Sequence, residues 1–197
     1  MKVGILGGSF DPIHNGHLHM AVCAHQAVPL DQVWLMPAGH SPNKDESRMT
    51  DSRHRLRMCE LASEPYDWLS VSSLEIDALE KSYTYRTFEK LHEQYPQHQF
   101  FFIMGGDSFG YFDQWKHPEI IASYCTILVI PRDQFSVEFL TQKEIELKKL
   151  FPCRVSILSC ERYPASSTQI RQQLHLGNVT EHIPAKVFAY IQQNHLY

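Results

Sequence analysis

Short apolar runs, most of them unbroken by polar residues, recur along the chain at Val3 to Leu6, Val33 to Met36, Phe100 to Met104, Thr126 to Ile130 and Val155 to Leu158. A strand with one wet face alternates apolar and polar residues, whereas an unbroken run is expected where helices cover both faces of a sheet. A weaker, alternating segment covers Leu69 to Ile76. Between the runs lie segments with helical spacing, Gly16 to Val28, Asp51 to Ser63, Tyr83 to Tyr95 and Thr141 to Leu150. Parallel strands need long crossovers, and these segments supply them. The alternation therefore predicts an α/β fold, a Rossmann-like open parallel sheet with flanking helices and right-handed crossovers.

The end of the chain differs in kind. Ser167 to Leu176 and Pro184 to Asn194 read as two helices with no strand between them, separated by Gly177-Asn178, with the proline at the first helical position of the second. We expect a small C-terminal helical part over residues 166–197 within a single domain spanning 1–197. A chain of 197 residues suffices for one well-buried core and is short for two full domains. The polar stretch His40 to Asp51, with Ser41-Pro42-Asn43-Lys44, reads as a loop.

A formal net charge of -4 provides no general field for nucleic acid or an acidic membrane, so any phosphate binding must be local. No run approaches the roughly 18 apolar residues of a membrane span, which predicts a soluble protein, and the cysteine usage predicts a cytoplasmic one. The five cysteines, Cys23, Cys59, Cys125, Cys153 and Cys160, are odd in number and lack Cys-x-x-Cys spacing. They read as buried reduced thiols, not as a disulfide framework or a zinc ribbon.

The first apolar run leads into Gly7-Gly8-Ser9-Phe10-Asp11-Pro12-Ile13-His14-Asn15-Gly16-His17. Small residues let a polyphosphate approach the backbone, and two histidines three apart share one face where a helix begins, beside free N–H groups. Neither the G-x-G-x-x-G dinucleotide fingerprint nor a Walker A loop is present. A second phosphate-suited constellation is Ser166-Ser167-Thr168-Gln169-Ile170-Arg171. Either serine can cap the helix that follows, and Arg171 sits one turn in, where the helix dipole disfavours a cation unless an anion is near. The candidate loops follow apolar runs, where ligands of parallel sheets bind.

His14-Asn15-Gly16-His17 resembles the HxGH signature of the nucleotidyltransferase superfamily, and the whole chain resembles its bacterial nicotinate-nucleotide adenylyltransferases. Ser166 to Arg171 resembles their late I-S-S-T-x-I-R motif, with Ala165 in place of the usual β-branched residue. The resemblance implies adenylyl transfer from ATP to nicotinate mononucleotide, with Mg2+ delivered by ATP and no metal held by the protein itself. For ATP it implies contacts from Gly7, Gly8, Ser9, Phe10, His14, His17, Lys44, Gly105, Asp107, Ser166, Ser167, Thr168 and Arg171, of which His14, His17 and Arg171 are catalytic. Ser82-Tyr83-Thr84, Met104-Gly105-Gly106-Asp107 and Trp115-Lys116 resemble the family's S-Y-T, M-G-x-D and tryptophan segments. They imply a mononucleotide site of Ser9, Thr84, Trp115 and Lys116.

Each of these has a structural alternative: Thr84 as a helix cap, Asp107 as a cap on the turn at Ser108 to Phe112, Trp115 as a core aromatic. Two departures stand out, Asn43 where the family's P-P-H-K has histidine, and Gly106 where M-G-x-D usually has alanine. A phosphopantetheine adenylyltransferase, a cytidylyltransferase and a non-catalytic nucleotide- or RNA-binding module are the competing readings. His14, Trp115, the chain length and the acidic balance oppose them. The expected partners are ATP and nicotinate mononucleotide, with no nucleic acid or membrane, in a monomer or homo-oligomer.

Overall fold

The computed structural model describes residues 1–40, 49–78, 80–131, 135–161, 163–178 and 181–197. Along them run β1 (Lys2–Gly8), α1 (Asn15–Ala27), β2 (Gln32–Pro37), α2 (Ser52–Ser63), β3 (Leu69–Val71), α3 (Thr84–Gln94) and β4 (Gln99–Gly105). There follow α4 (Gly106–Gly110), a 3-10 turn (Phe112–Gln114), α5 (Pro118–Tyr124), β5 (Cys125–Ile130), α6 (Val137–Leu150), β6 (Arg154–Ile157), α7 (Ser167–His175) and α8 (Ala185–Gln193). The strands form one parallel sheet in the order β3-β2-β1-β4-β5-β6. The order reverses between β1 and β4, so their following loops diverge and open a crevice at the carboxyl ends.

The unbroken runs still obey the two-residue period of a strand. Val3 and Ile5 of β1 join Phe100, Phe102 and Met104 of β4 in one core, with Phe88 and Leu91 of α3. Leu6, Phe101 and Ile103 face the other core, with Met20, Ala21 and Ala24 of α1 and Met58 of α2. Ile170 of α7 and Val187 and Ile191 of α8 extend that second core, which fixes the C-terminal helical extension against the sheet.

Several boundaries moved. The alternating segment is a strand only over Leu69–Val71, and Leu74 to Ile76 lie in a turn, where alternation has no pleat to serve. α6 starts a turn before Thr141 because Ser136 caps it, accepting from the Phe139 N–H at 3.2 Å. α4, the 3-10 turn and α5 are too short to carry a legible period. Pro184 is the N-cap of α8, one position earlier than expected.

The cysteine expectation fails at two positions. Cys23 and Cys160 are joined in a disulfide, because the fold brings together two cysteines 137 residues apart, a proximity that spacing cannot encode. Cys59 and Cys125 are buried and free, and Cys153 is free and partly buried. Among the described residues no helix is long and apolar enough to cross a membrane.

Candidate active site

β1 ends at Gly8, and the chain turns through Ser9, Phe10 and a cis Asp11–Pro12 peptide before α1 begins. Gly7 and Gly8 are both strand residues; neither has a positive φ. The value of Gly7 is clearance, since an added Cβ would meet only the edge of the Phe102 ring at 3.8 Å. Phe10 instead takes the left-handed region at φ 47° while buried at 2% exposure, a conformation held by the packing around its ring.

His14 is the N-cap of α1. Its Nδ1 accepts from the Gly16 N–H at 3.1 Å, while His17 Nδ1 accepts from the His14 N–H at 3.2 Å. This is a capping box built from two imidazoles. The rings stack with centroids 3.7 Å apart. Because each Nδ1 serves as an acceptor, each neutral ring carries its proton on Nε2, the nitrogen suited to donate to a phosphate oxygen. His14 is 2% exposed, so it is more deeply set than a helix start reached by solvent would suggest.

The late serine motif meets this loop directly. Ser166 is the cap of α7, its Oγ accepting from the Gln169 N–H at 3.3 Å. Ser167 takes a different role and donates to the Pro12 carbonyl at 3.1 Å. One Nη of Arg171 donates to the Asp11 carbonyl at 2.6 Å, and the other reaches Thr168 Oγ1 at 3.4 Å. Arg171 is therefore partly committed to holding the two motifs together.

Beneath the loop lie groups that the sequence reading missed. Arg55 is 2% exposed and donates to the carbonyls of Ser9 (2.7 Å), Thr50 (2.9 Å) and Gly39 (3.4 Å). Burial lowers its pKa against the opposing pull of Asp11. Tyr197 donates to Asp11 Oδ1 at 2.6 Å, and burial, with the Asp11 charge, pushes its phenol up. The signal for Arg55 was present: it occupies the apolar stripe Arg55, Met58, Cys59, Ala62 of α2. No local pattern marks Tyr197.

A cleft on the other side of the loop brings Gly7, Gly8 and Ser9 together with Thr84, Trp115 and Lys116. Thr84 is the first residue of α3, so it is not a cap; the N-cap is Tyr83, which makes no side-chain capping bond. That helix start is suited to a carboxylate. Trp115 packs against Phe112 and Phe102, with centroids 5.6 and 6.1 Å away, and its buried Nε1 finds no hydrogen-bond partner. It belongs to the core edge and to the cleft wall at once. The Lys116 ammonium lies 4.3 Å from the centre of the Tyr83 ring.

Glu75, also missed, lines the same cleft and accepts from Thr87 Oγ1 at 2.7 Å. Burial pushes its carboxyl above the ordinary range despite hydrogen bonds from Thr87 and Ser82. Ser82 also accepts from the Gly39 N–H at 3.1 Å. Gly39 is required there, because an added Cβ would stand 2.1 Å from the Glu75 carbonyl oxygen. Gly105 ends β4, while Asp107 is exposed on the first turn of α4, outside the cleft wall. α4 has Gly105 as its N-cap and no side-chain capping bond, so Asp107 does not cap it. Lys44 and Asn43 lie outside the described residues.

A doubly wound sheet with a histidine-bearing loop after β1 and a hydroxyl-and-arginine helix start beside it defines a nucleotidyltransferase class. Residues 5–173 match the cytidylyltransferase-like family, to which the chain belongs. It is 36% identical over 197 residues to a Clostridium botulinum protein named "Probable nicotinate-nucleotide adenylyltransferase", covering 100% of this chain and 98% of that protein. It is 35% identical over 208 residues to a Shewanella pealeana protein of the same name, covering 100% and 96%. The Plasmodium falciparum nicotinic acid mononucleotide adenylyltransferase complexed with NaAD shares the fold at a TM-score of 0.79 and 22% identity, over 100% of this chain and 97% of that one. Within its class, the chain belongs to the nicotinate-nucleotide adenylyltransferases.

Proposed function

We propose that the loop after β1 divides the two reactants of an adenylyl transfer, with ATP phosphates on the side of His14, His17 and α7, and the mononucleotide in the cleft between Ser9, Thr84 and Trp115. The reaction transfers AMP from ATP to nicotinate mononucleotide, giving nicotinate adenine dinucleotide and pyrophosphate. The observation that carries the division is the joining of the two phosphate-suited motifs by the Arg171–Asp11 and Ser167–Pro12 hydrogen bonds, on the edge of a cleft with an aromatic wall and a helix start.

The acceptor phosphate is already anionic, so no general base is needed. Its oxygen attacks the α-phosphorus of ATP, the bond to the β-phosphate breaks, and pyrophosphate leaves with the electron pair. The protein's work is positioning and stabilising charge. His14 and His17 donate through Nε2 to phosphate oxygens, and Arg171, Ser166, Ser167 and Thr168 hold the triphosphate with the start of α7. Trp115 stacks on the pyridine ring, and backbone N–H groups near Thr84 and Lys116 receive the carboxylate. Lys44, Gly105 and Asp107 belong to the ATP side of the same proposal.

The donors around the clamp are imidazoles, hydroxyls and a guanidinium, a set that fits anions. Mg2+ fits as a companion of ATP that neutralises its triphosphate charge. A cytoplasmic setting, with ATP as donor, is part of the same reading. Pyrophosphate release measured with nicotinate mononucleotide, nicotinamide mononucleotide, phosphopantetheine and no acceptor tests it. Release dependent on the first supports the assignment; release only with phosphopantetheine overturns it.

A further inference from the structure

On α1, His19 and Cys23 stand one turn apart, and Cys160 approaches them from the segment between β6 and α7. His19 Nε2 lies 3.5 Å from Cys23 Sγ and 3.3 Å from Cys160 Sγ. All three side chains are half-buried, and their ligand atoms lie within 4.8 Å of one another. The remaining cysteines are differently disposed. Burial holds the thiols of Cys59 and Cys125 well above the ordinary range, and Cys153 sits apart from this group.

We propose that His19, Cys23 and Cys160 form a redox-gated site for a thiophilic divalent cation, Zn2+, closed when the two sulfurs are joined and available when they are reduced. Zinc–sulfur and zinc–imidazole bonds of about 2.3 and 2.0–2.1 Å put tetrahedral ligands about 3.5 Å (N to S) and about 3.8 Å (S to S) apart. The imidazole nitrogen already has that spacing from both sulfurs. Only the sulfurs must part, and the Cα atoms of the cysteines, 6.1 Å apart, allow this by side-chain rotation. Nε2 gives up its contact with the Glu161 carbonyl, 2.6 Å away, when it turns its lone pair to the metal. Three protein ligands leave the fourth position to solvent.

The exchange balances with thiol chemistry alone. A dithiol reductant delivers two electrons and two protons, cleaves the Cys23–Cys160 bond and becomes a disulfide; Zn2+ then displaces the two thiol protons. In reverse, a glutathione-class disulfide is attacked by one thiolate to give a mixed disulfide and one glutathione thiol. The second sulfur displaces the other glutathione, the protein disulfide closes and Zn2+ leaves.

The test uses the full chain, oxidised or reduced with a phosphine that is then removed, and titrated with Zn2+ against a chromophoric chelator. We expect one Zn2+ per reduced chain, none on the oxidised chain, at least tenfold weaker binding in His19→Ala, and loss of the site in Cys23→Ser/Cys160→Ser. Co2+ in place of Zn2+ should give sulfur-to-metal charge-transfer bands that vanish in the double variant. Glutathione disulfide should release the zinc with two glutathione thiols per chain. Equal zinc binding by the reduced protein and the double variant, or a disulfide that resists reduction in the folded protein, overturns the proposal. His19→Ala retains both cysteines, so the proposal stays testable should the double variant fold poorly.

Discussion

Arg171 donates to the backbone carbonyl of Asp11 at 2.6 Å across 160 residues of sequence. A guanidinium placed one turn into a helix is thus neutralised in part by a peptide oxygen and stands 4.0 Å from the Asp11 carboxylate. The same contact joins the loop after β1 to the start of α7, so the cation holds the shape of the candidate site.

Arg171→Lys keeps the charge and loses the planar fork that serves Asp11 and Thr168 together. We expect kcat/KM for ATP to fall by at least tenfold while the mononucleotide KM changes less than threefold. Equal weakening toward both substrates in steady-state assays, with unchanged circular dichroism, would remove Arg171 from the ATP side.

His14 caps α1 through Nδ1, and under the proposed function it has a second, separable job, donating through Nε2 to a phosphate oxygen. Asparagine at position 14 is a strong N-cap and lacks the distal donor. His14→Asn should therefore melt close to the parent protein yet lose at least a hundredfold in kcat, the scale of removing one donor to a charged transition state. Retained turnover at saturating ATP and Mg2+ would show that the distal nitrogen is dispensable.

The two serines should separate likewise. Ser166→Ala removes the α7 cap and should cost about 1 kcal/mol of stability, read by urea unfolding. Ser167→Ala removes a hydrogen bond between loops and should act chiefly on the KM for ATP. If Ser167→Ala proved the more destabilising of the pair by more than the capping loss, the division of roles would be wrong.

Selectivity should favour the acid mononucleotide over the amide by at least tenfold in kcat/KM. The two have nearly the same shape, so donors must tell them apart, and one opposed polar contact in a closed pocket costs about 1–3 kcal/mol. The uncapped start of α3 presents N–H groups, which suit a carboxylate and face an amide N–H with another donor. Equal values for both substrates would contradict that arrangement.

Glu75 predicts a pH effect on stability. Its folded-state pKa is raised above 4.5, so the folded protein holds this proton more tightly than the unfolded chain does. The resulting stabilisation is complete below 4.5 and is lost as pH rises through the folded value. Glu75→Gln removes that titration, so the parent should lose Tm relative to the variant as the pH rises above 4.5. Parallel Tm profiles for the two proteins would show that burial at Glu75 has no such consequence.

Much of the fold was legible in the sequence because its signals are local. Unbroken apolar runs and helical spacing gave the parallel sheet, and the strand-glycine-histidine sequence after β1 marked the loop on which the site is built. The serine motif could be read as a helix start for the same reason: capping involves residues within one turn. What stayed hidden involves partners distant along the chain. Which serine caps and which ties down Pro12 depends on where α7 lands; Arg55 shows in the apolar stripe of α2, but that it meets the Ser9 carbonyl depends on where α2 packs.

By itself, then, the sequence determined the longer elements, the order in which they follow one another, and the residue types able to meet a nucleotide, since propensity and periodicity act over a few residues. Tertiary structure alone decided that Arg171 meets Asp11, that Tyr197 reaches the first loop, that Glu75 is pressed against Gly39, and that Cys23 finds Cys160. Such contacts are consequences of packing two helical layers on a twisted sheet, where the neighbours of a side chain are set by the arrangement of whole elements and by no spacing along the chain.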